Sequence, residues 1–219
     1  MPWFQIHARG HHGYPQPEDD YQVATYETVC LRCGRHGPQL SPFRMRKRIL
    51  APNSHFIQLN WVFDVLFVHP DVVERMKYHG LRGFSVLPVL NTKGTEELPH
   101  RVQLLLDTVV DCAEISELPV VTCRANNEES GWALPGAVDP GFSYCGKLKN
   151  HPPTDLVLLP GPLVNAPDLF LTEQWFGSGA SAHRAIICSQ TFVELYNKAD
   201  WRGLQFSSVQ HEGHSARRK

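Results

Sequence analysis

Residues 65–89 read Val65-Leu66-Phe67-Val68-His69-Pro70-Asp71-Val72-Val73-Glu74-Arg75-Met76-Lys77-Tyr78-His79-Gly80-Leu81-Arg82-Gly83-Phe84-Ser85-Val86-Leu87-Pro88-Val89, and they carry the plan of the whole chain. The apolar run that begins at Trp61 and ends at Val68, broken only by Asp64, predicts a buried strand. Pro70 suits the first helical position, where its missing N–H costs nothing. Val72, Val73, Met76 and Tyr78 then suit a short helix, and Gly80 can take the left-handed conformation that ends it. Gly83 to Val89 is predicted to be the strand that leaves it.

The same grammar returns 120 residues later. Ala185 to Cys188 reads as a short buried strand and Ser189 as its helix N-cap. Phe192, Val193, Leu195 and Tyr196 give the helix an apolar face, and Trp201 to Phe206 is the exit strand. Laid on residues 65–89 without a gap, residues 185–209 share Val73/Val193, Glu74/Glu194, Arg82/Arg202, Gly83/Gly203 and Val89/Val209. Two strand–helix–strand units are therefore predicted, around 61–90 and 181–210, as possible duplicated halves; two copies are too few for a solenoid.

Working outward, Trp3 to Ala8 is predicted as a first strand, Gly10 to Asp20 as a loop, and Gln22 to Val29, with its β-branched residues, as a second strand. His100 to Asp107 and Leu118 to Cys123 read as strands, Leu156 to Leu159 and Asp168 to Leu171 as short apolar pieces. Asn126 to Gly141 is turn-rich, and the tail from His211 to Lys219 is polar and expected to be frayed. The prediction is an α+β fold with mixed or antiparallel sheets, two similar strand–helix–strand units and a cysteine knuckle, forming a single domain over 1–210 with a disordered tail at 211–219.

Composition narrows the function. The chain has 219 residues, 42% hydrophobic and 20% charged, which is the balance of a globular protein and not of a disordered one. Lys+Arg is 21 and Asp+Glu is 22, a net charge of −1, so a broad sequence-blind nucleic-acid surface is not expected. With 17 prolines and 16 glycines, a long helical bundle is excluded. No run approaches the roughly 18 apolar residues of a membrane span. The start lacks a basic leader and an apolar segment, so a cytoplasmic protein with reduced thiols is expected.

Six cysteines follow: Cys30, Cys33, Cys112, Cys123, Cys145 and Cys188. Cys30-x-x-Cys33-Gly34 is the sharpest local signal, because two thiolates at this spacing grip one tetrahedral zinc ion. A structural site needs four ligands. Cys145-Gly146 resembles the second half of another such knuckle, but three residues earlier stands Phe142, which binds no metal. The completing ligand is expected to be Cys123, with His36 the next candidate. The alternative is that these thiols pack in the core without metal. A thioredoxin-like redox role is disfavoured, since Gly34, Gly37, Pro38 and Pro42 follow where a long helix belongs. Cys112 and Cys188 read as buried filler.

Enzyme signatures are missing. The sequence has no phosphate-binding Gly-rich loop, no dinucleotide fingerprint, no His-Glu-x-x-His and no nucleophile elbow. Gly177-Ser178-Gly179 reads as a surface turn. The charged clusters are Arg44 to Arg48, Glu18 to Asp20 and Glu128-Glu129, each of which is either a solvated face or part of a contact surface.

The order of these motifs resembles a known family. An N-terminal strand, a Cys-x-x-Cys-Gly, an apolar strand with a helix ending in Gly-Leu-Arg-Gly, a second Cys-Gly, Pro167-Asp168-Leu169-Phe170, and a final strand and helix closing on Arg202-Gly203-Leu204-x-Phe206 together are similar to the double-CxxCG-motif immunity proteins of myxobacteria, over most of residues 3–209. Phe142 is the departure from that pattern. The resemblance implies a non-enzymatic protein of bacterial competition that binds and neutralises a cognate toxin; the contact surfaces expected here, apart from the resemblance, are the loop after the first knuckle, with Arg44 to Arg48, and the acidic-aromatic loop Glu128 to Trp132. The rival expectation is a zinc-knuckle nucleic-acid-binding protein using Arg44, Arg46, Lys47 and Arg48 on phosphates; the near-zero net charge weighs against it.

Overall fold

The computed structural model describes residues 2–47, 53–123, 145–153, 155–177 and 180–211. Along the chain these form β1 (Trp3–Ala8), α1 (Tyr21–Thr25), β2 (Phe56–Ile57), β3 (Leu66–Val68), α2 (Pro70–Tyr78), β4 (Ser85–Leu90), β5 (Glu97–Leu105), β6 (Val109–Val110), β7 (Val120–Thr122), β8 (Leu148–Asn150), β9 (Val157–Leu158), a 3-10 turn (Gly161–Leu163), β10 (Leu169–Phe176), β11 (His183–Ser189), α3 (Gln190–Lys198), β12 (Leu204–Ser208) and β13 (Gln210–His211). The architecture is α+β with mixed and antiparallel sheets. No helix among the described residues is long and apolar enough to cross a membrane.

Two sheets share one wiring. The smaller runs β2-β3-β5-β4 with every pair antiparallel, and α2 joins β3 to β4. The larger contains β10-β11-β1-β12, again antiparallel, with α3 joining β11 to β12. The N-terminal strand β1 thus occupies in the second unit the place that β5 holds in the first. The larger sheet continues from β10 through a parallel contact to β8 and then antiparallel β7, and β6 also pairs with β10.

The units are stitched by a reciprocal contact. Gly83 and Gly203 both have positive φ, 100° and 114°, which a side chain rarely adopts. A Cβ on Gly83 would strike the Leu169 carbonyl of the second unit, and one on Gly203 would strike the Phe56 carbonyl of the first. The preceding carbonyls complete the exchange: Arg82 accepts from the Leu169 N–H (3.1 Å), and Arg202 from the N–H groups of His55 and Phe56 (3.0 Å each). Between the units lies a core of Ile6, Phe56, Leu66, Val68, Val72, Met76, Leu169, Phe192, Tyr196, Trp201 and their neighbours. A second core gathers Tyr21, Tyr26, Phe43, Ile57, Leu59, Phe67 and Val89, and a third Trp3, Cys112, Leu158, Phe170 and Ile187.

Both predicted helices form with their predicted caps. Pro70 opens α2, and the Ser189 side chain accepts from the Phe192 N–H in α3. Two predicted strands do not. Gln22 to Val29 begins instead as the short helix α1, because Tyr21 and Tyr26 turn their rings into the second core; Tyr26 and Val29 keep single bridges to Gln39 and His36. In the 61–68 run, only Leu66–Val68 joins a ladder. Trp61 sits at φ 68° in a tight reversal held by Asn60, whose N–H and side-chain amide both donate to the Gly13 carbonyl (2.9 and 2.8 Å). Val62 and Val65 are buried there without strand pairing, so an apolar run alone did not distinguish strand from buried turn. His211, predicted as the start of the tail, pairs with Leu158 through β13; residues 212–219 lie outside the described residues.

Candidate metal centre

The first cysteine pair sits on a tight turn. The Gly34 N–H donates to the Cys30 carbonyl (2.8 Å), and the Cys30 N–H to the Arg35 carbonyl (2.9 Å). Gly34 takes φ 80°, and a Cβ there would collide with the carbonyl of Ala180. The turn is docked on the chain entering β11 by the Ala182 N–H, which donates to the Cys33 carbonyl (3.0 Å). Glycine is required both for the left-handed backbone and for this close approach.

The second pair repeats the pattern with a long interruption. The Gly146 N–H donates to the Cys123 carbonyl (3.2 Å), the Cys123 N–H donates to the Lys147 carbonyl (3.0 Å), and Gly146 takes φ 66°. Hydrogen bond for hydrogen bond, Cys123 stands to Cys145-Gly146 as Cys30 stands to Cys33-Gly34. Residues 124–144 lie between the two in sequence, so this knuckle is continuous in space and divided in sequence. Phe142, the position at which a regular knuckle would carry its first cysteine, lies outside the described residues.

The four thiols converge. Their sulfurs all lie within 4.8 Å of one another, with Cys30 to Cys123 at 3.8 Å and Cys33 to Cys145 at 3.6 Å. A tetrahedral ion with metal–sulfur bonds of about 2.3 Å spaces its sulfurs roughly 3.8 Å apart, so the arrangement fits such an ion. A disulfide, with its bond of about 2.05 Å, is not present, and all four cysteines are free. Cys33 and Cys123 are buried, while Cys30 and Cys145 are partly exposed.

The surroundings divide the thiols electrostatically. Burial pushes Cys30 up, but backbone amides of Cys33 and Arg32 and the neighbouring thiols outweigh it and bring the group down to about 7. Burial pushes Cys33 and Cys123 up, and the proximity of Cys30 adds to both. Of these three thiols, Cys30 is the one whose surroundings favour the thiolate.

A buried ion pair braces the first knuckle. His36 Nε2 lies 3.2 Å from the Asp64 carboxylate, and both side chains are largely buried. Tyr26 stacks on the His36 ring (centroids 3.7 Å) and Trp175 meets it edge-on at 5.0 Å. Burial lowers the imidazole's affinity for a proton, but Asp64 outweighs it and raises His36 above its ordinary value; His36 in turn holds Asp64 below the usual carboxylate range against complete burial. His36, the second candidate for the completing ligand, is thus committed to Asp64, and Cys123 is the thiol that joins the cluster.

Sequence reasoning named all four thiols of the cluster. It missed Asp64, Trp175, Arg35 and Lys149, whose roles depend on contacts across 28 to more than 100 residues. Among the other singled-out residues, Cys112 and Cys188 are fully buried away from the cluster. Arg44 bridges to Gln16 and Leu90, while Arg46 and Lys47 are exposed. Arg48, Glu128, Glu129, Trp132, Ser178 and Gly179 lie outside the described residues. Compared with known proteins, the chain matches no protein-family model and no curated protein.

Proposed function

We propose that this chain is a cytoplasmic, non-enzymatic immunity protein that binds and neutralises a cognate bacterial toxin, on a scaffold clasped by a structural zinc ion. The observation that carries the reading is the pair of Cys-Gly turns with one hydrogen-bond pattern, since a double Cys-x-x-Cys-Gly arrangement is what the resemblance rests on. Zinc is favoured among metals by four thiolates and a site with no ligand position left open, the chemistry of a structural ion and not of a catalytic one.

A scaffold of this kind works by presenting anchors on a rigid frame. Tyr14 and Trp61 supply such a feature: 40% and 49% exposed, their rings lie 4.6 Å apart. Trp61 is kept outward by a left-handed backbone unusual for an aromatic residue, and the Tyr21 hydroxyl donates to its carbonyl (3.0 Å). The acidic residues Glu18, Asp19 and Asp20 follow in the same loop as Tyr14.

Co-expression with the product of the adjacent gene tests the reading. The expected result is that the neighbour arrests growth alone, that this protein restores it, and that Trp61→Ala abolishes rescue while leaving the melting temperature unchanged. A neighbour that is harmless alone, or equally toxic in the presence of this protein, overturns it. Salt-sensitive binding to RNA or DNA would instead support the nucleic-acid alternative.

A further inference from the structure

The four sulfurs carry a pattern that metal ligation does not require. Two sulfur–sulfur approaches are short, Cys30 to Cys123 at 3.8 Å and Cys33 to Cys145 at 3.6 Å, and both run from one knuckle to the other. Each joins a partly exposed thiol to a buried one: Cys30 is paired with Cys123, and Cys145 with Cys33. Exposure is thus crossed, with one accessible sulfur on each knuckle and its shielded neighbour on the opposite knuckle. Cys112 and Cys188 are fully buried and stand outside the cluster.

A thiol pair that answers an oxidant needs this division: one accessible sulfur to meet the oxidant and one resolving sulfur within reach. We propose that the four-cysteine centre is a site of reversible oxidation by small peroxides, in which Cys30 pairs with Cys123 and Cys145 with Cys33. The proposal adds regulation to the metal site described above, but it rests on the positions of the sulfurs. The Cys30 thiolate attacks one peroxide oxygen, the O–O bond breaks, the other oxygen leaves as hydroxide and is protonated to water, and Cys30 becomes a sulfenic acid. The Cys123 thiolate then attacks the Cys30 sulfur. The S–S bond forms and the S–O bond breaks, releasing a second hydroxide that is protonated to water. Cys145 and Cys33 repeat the sequence. Two peroxides accept four electrons from four thiolates, four protons are taken up, and two disulfides and four waters result. Each bond requires its sulfurs to close by about 1.6–1.8 Å. A divalent ion held by the thiolates is released, because the thiolate is the ligand and a disulfide sulfur is not one. The new bonds tie the same two knuckles, across 93 and 112 positions, so the fold keeps a clasp when the metal is lost.

Stepwise addition of hydrogen peroxide to the zinc-loaded full-length protein tests the proposal. Zinc release is read with a chromogenic chelator, and disulfides are mapped by mass spectrometry of peptides cut without reduction. Wild type is expected to release one zinc ion and lose four of its six thiols, giving cross-links 30–123 and 33–145 that dithiothreitol reverses. The oxidised, metal-free protein is expected to melt above the reduced, metal-free protein and to ignore further chelator. In Cys123→Ser, Cys30 lacks its resolving partner, so a dimedone probe specific for sulfenic acid is expected to label it while the 33–145 bond still forms. Should that variant fail to fold, the wild-type map decides alone. Bonds within a knuckle, bonds to Cys112 or Cys188, or oxidation to sulfinic acid without cross-links overturn the proposal. A wild type that holds no zinc yet forms the two crossed bonds overturns the metal reading and supports the oxidation site. A wild type that holds zinc and forms no disulfide under excess peroxide overturns the oxidation site alone.

Discussion

Cys123→Ser is the most informative single substitution. Cys30 and Cys123 are 93 positions apart, so a metal held by both closes a loop of that length. Treated like any covalent cross-link, closing such a loop lowers the entropy of the unfolded chain by the equivalent of about 4–5 kcal/mol at room temperature. None of the four clustered thiols belongs to the three apolar cores, so a serine at 123 removes the clasp without opening a cavity in them. For a chain of this size each kcal/mol moves the melting temperature by roughly 2–4 °C, so the expected drop is roughly 8–20 °C. Thermal unfolding followed by near-ultraviolet circular dichroism, with and without a strong chelator, is the assay. The chelator should lower wild type by this amount and leave Cys123→Ser where it is. Cys188→Ser, in the main core, should lower stability while remaining chelator-sensitive. If zinc-loaded wild type moves by less than about 2 °C on chelation, the cross-link reasoning fails.

The His36–Asp64 pair predicts a stability plateau. Asp64 is held below its ordinary 3.8, so its contribution is present above that pH and fades as pH falls through the lowered value; His36 is raised above 6.5, so its contribution is present below 6.5 and fades as pH rises through the raised value. Denaturant titrations across pH should show the pair at full strength between about 4 and 6.5, and Asp64→Ala should lose about 3–5 kcal/mol there by leaving a buried imidazolium unanswered. Gly203→Ala should destabilise by at least about 1–2 kcal/mol, since it combines a left-handed backbone with a collision against the Phe56 carbonyl; Gly80→Ala, with open space at its Cβ, isolates the backbone part and should cost less. Phe56→Ala, fully buried against Phe192, Tyr196 and Trp201, should cost about 3–5 kcal/mol in chemical unfolding.

What could be read from the chain without coordinates was local. Pro70, Ser189, Gly80 and the spacing of apolar residues in 65–89 and 185–209 identify both helices, because caps and one-sided burial are properties of neighbours within a turn or two. The knuckle at Cys30 to Gly34 is equally local. Tertiary structure decided the rest. The apolar run at 61–68 satisfies strand and buried turn alike, and only the long-range hold of Gly13 on Asn60 and of His36 on Asp64 turns its first half into a reversal. Cys123 stood in the sequence as a lone thiol 22 positions from Cys145, and no spacing rule pairs residues so far apart. Their joining depends on β7 and β8 lying antiparallel, which sets Thr122 opposite Leu148 and brings the two chain ends together. The burial of Lys149 was hidden for the same reason: which strands meet is chosen by the packing of the whole core, not by the residues on either side.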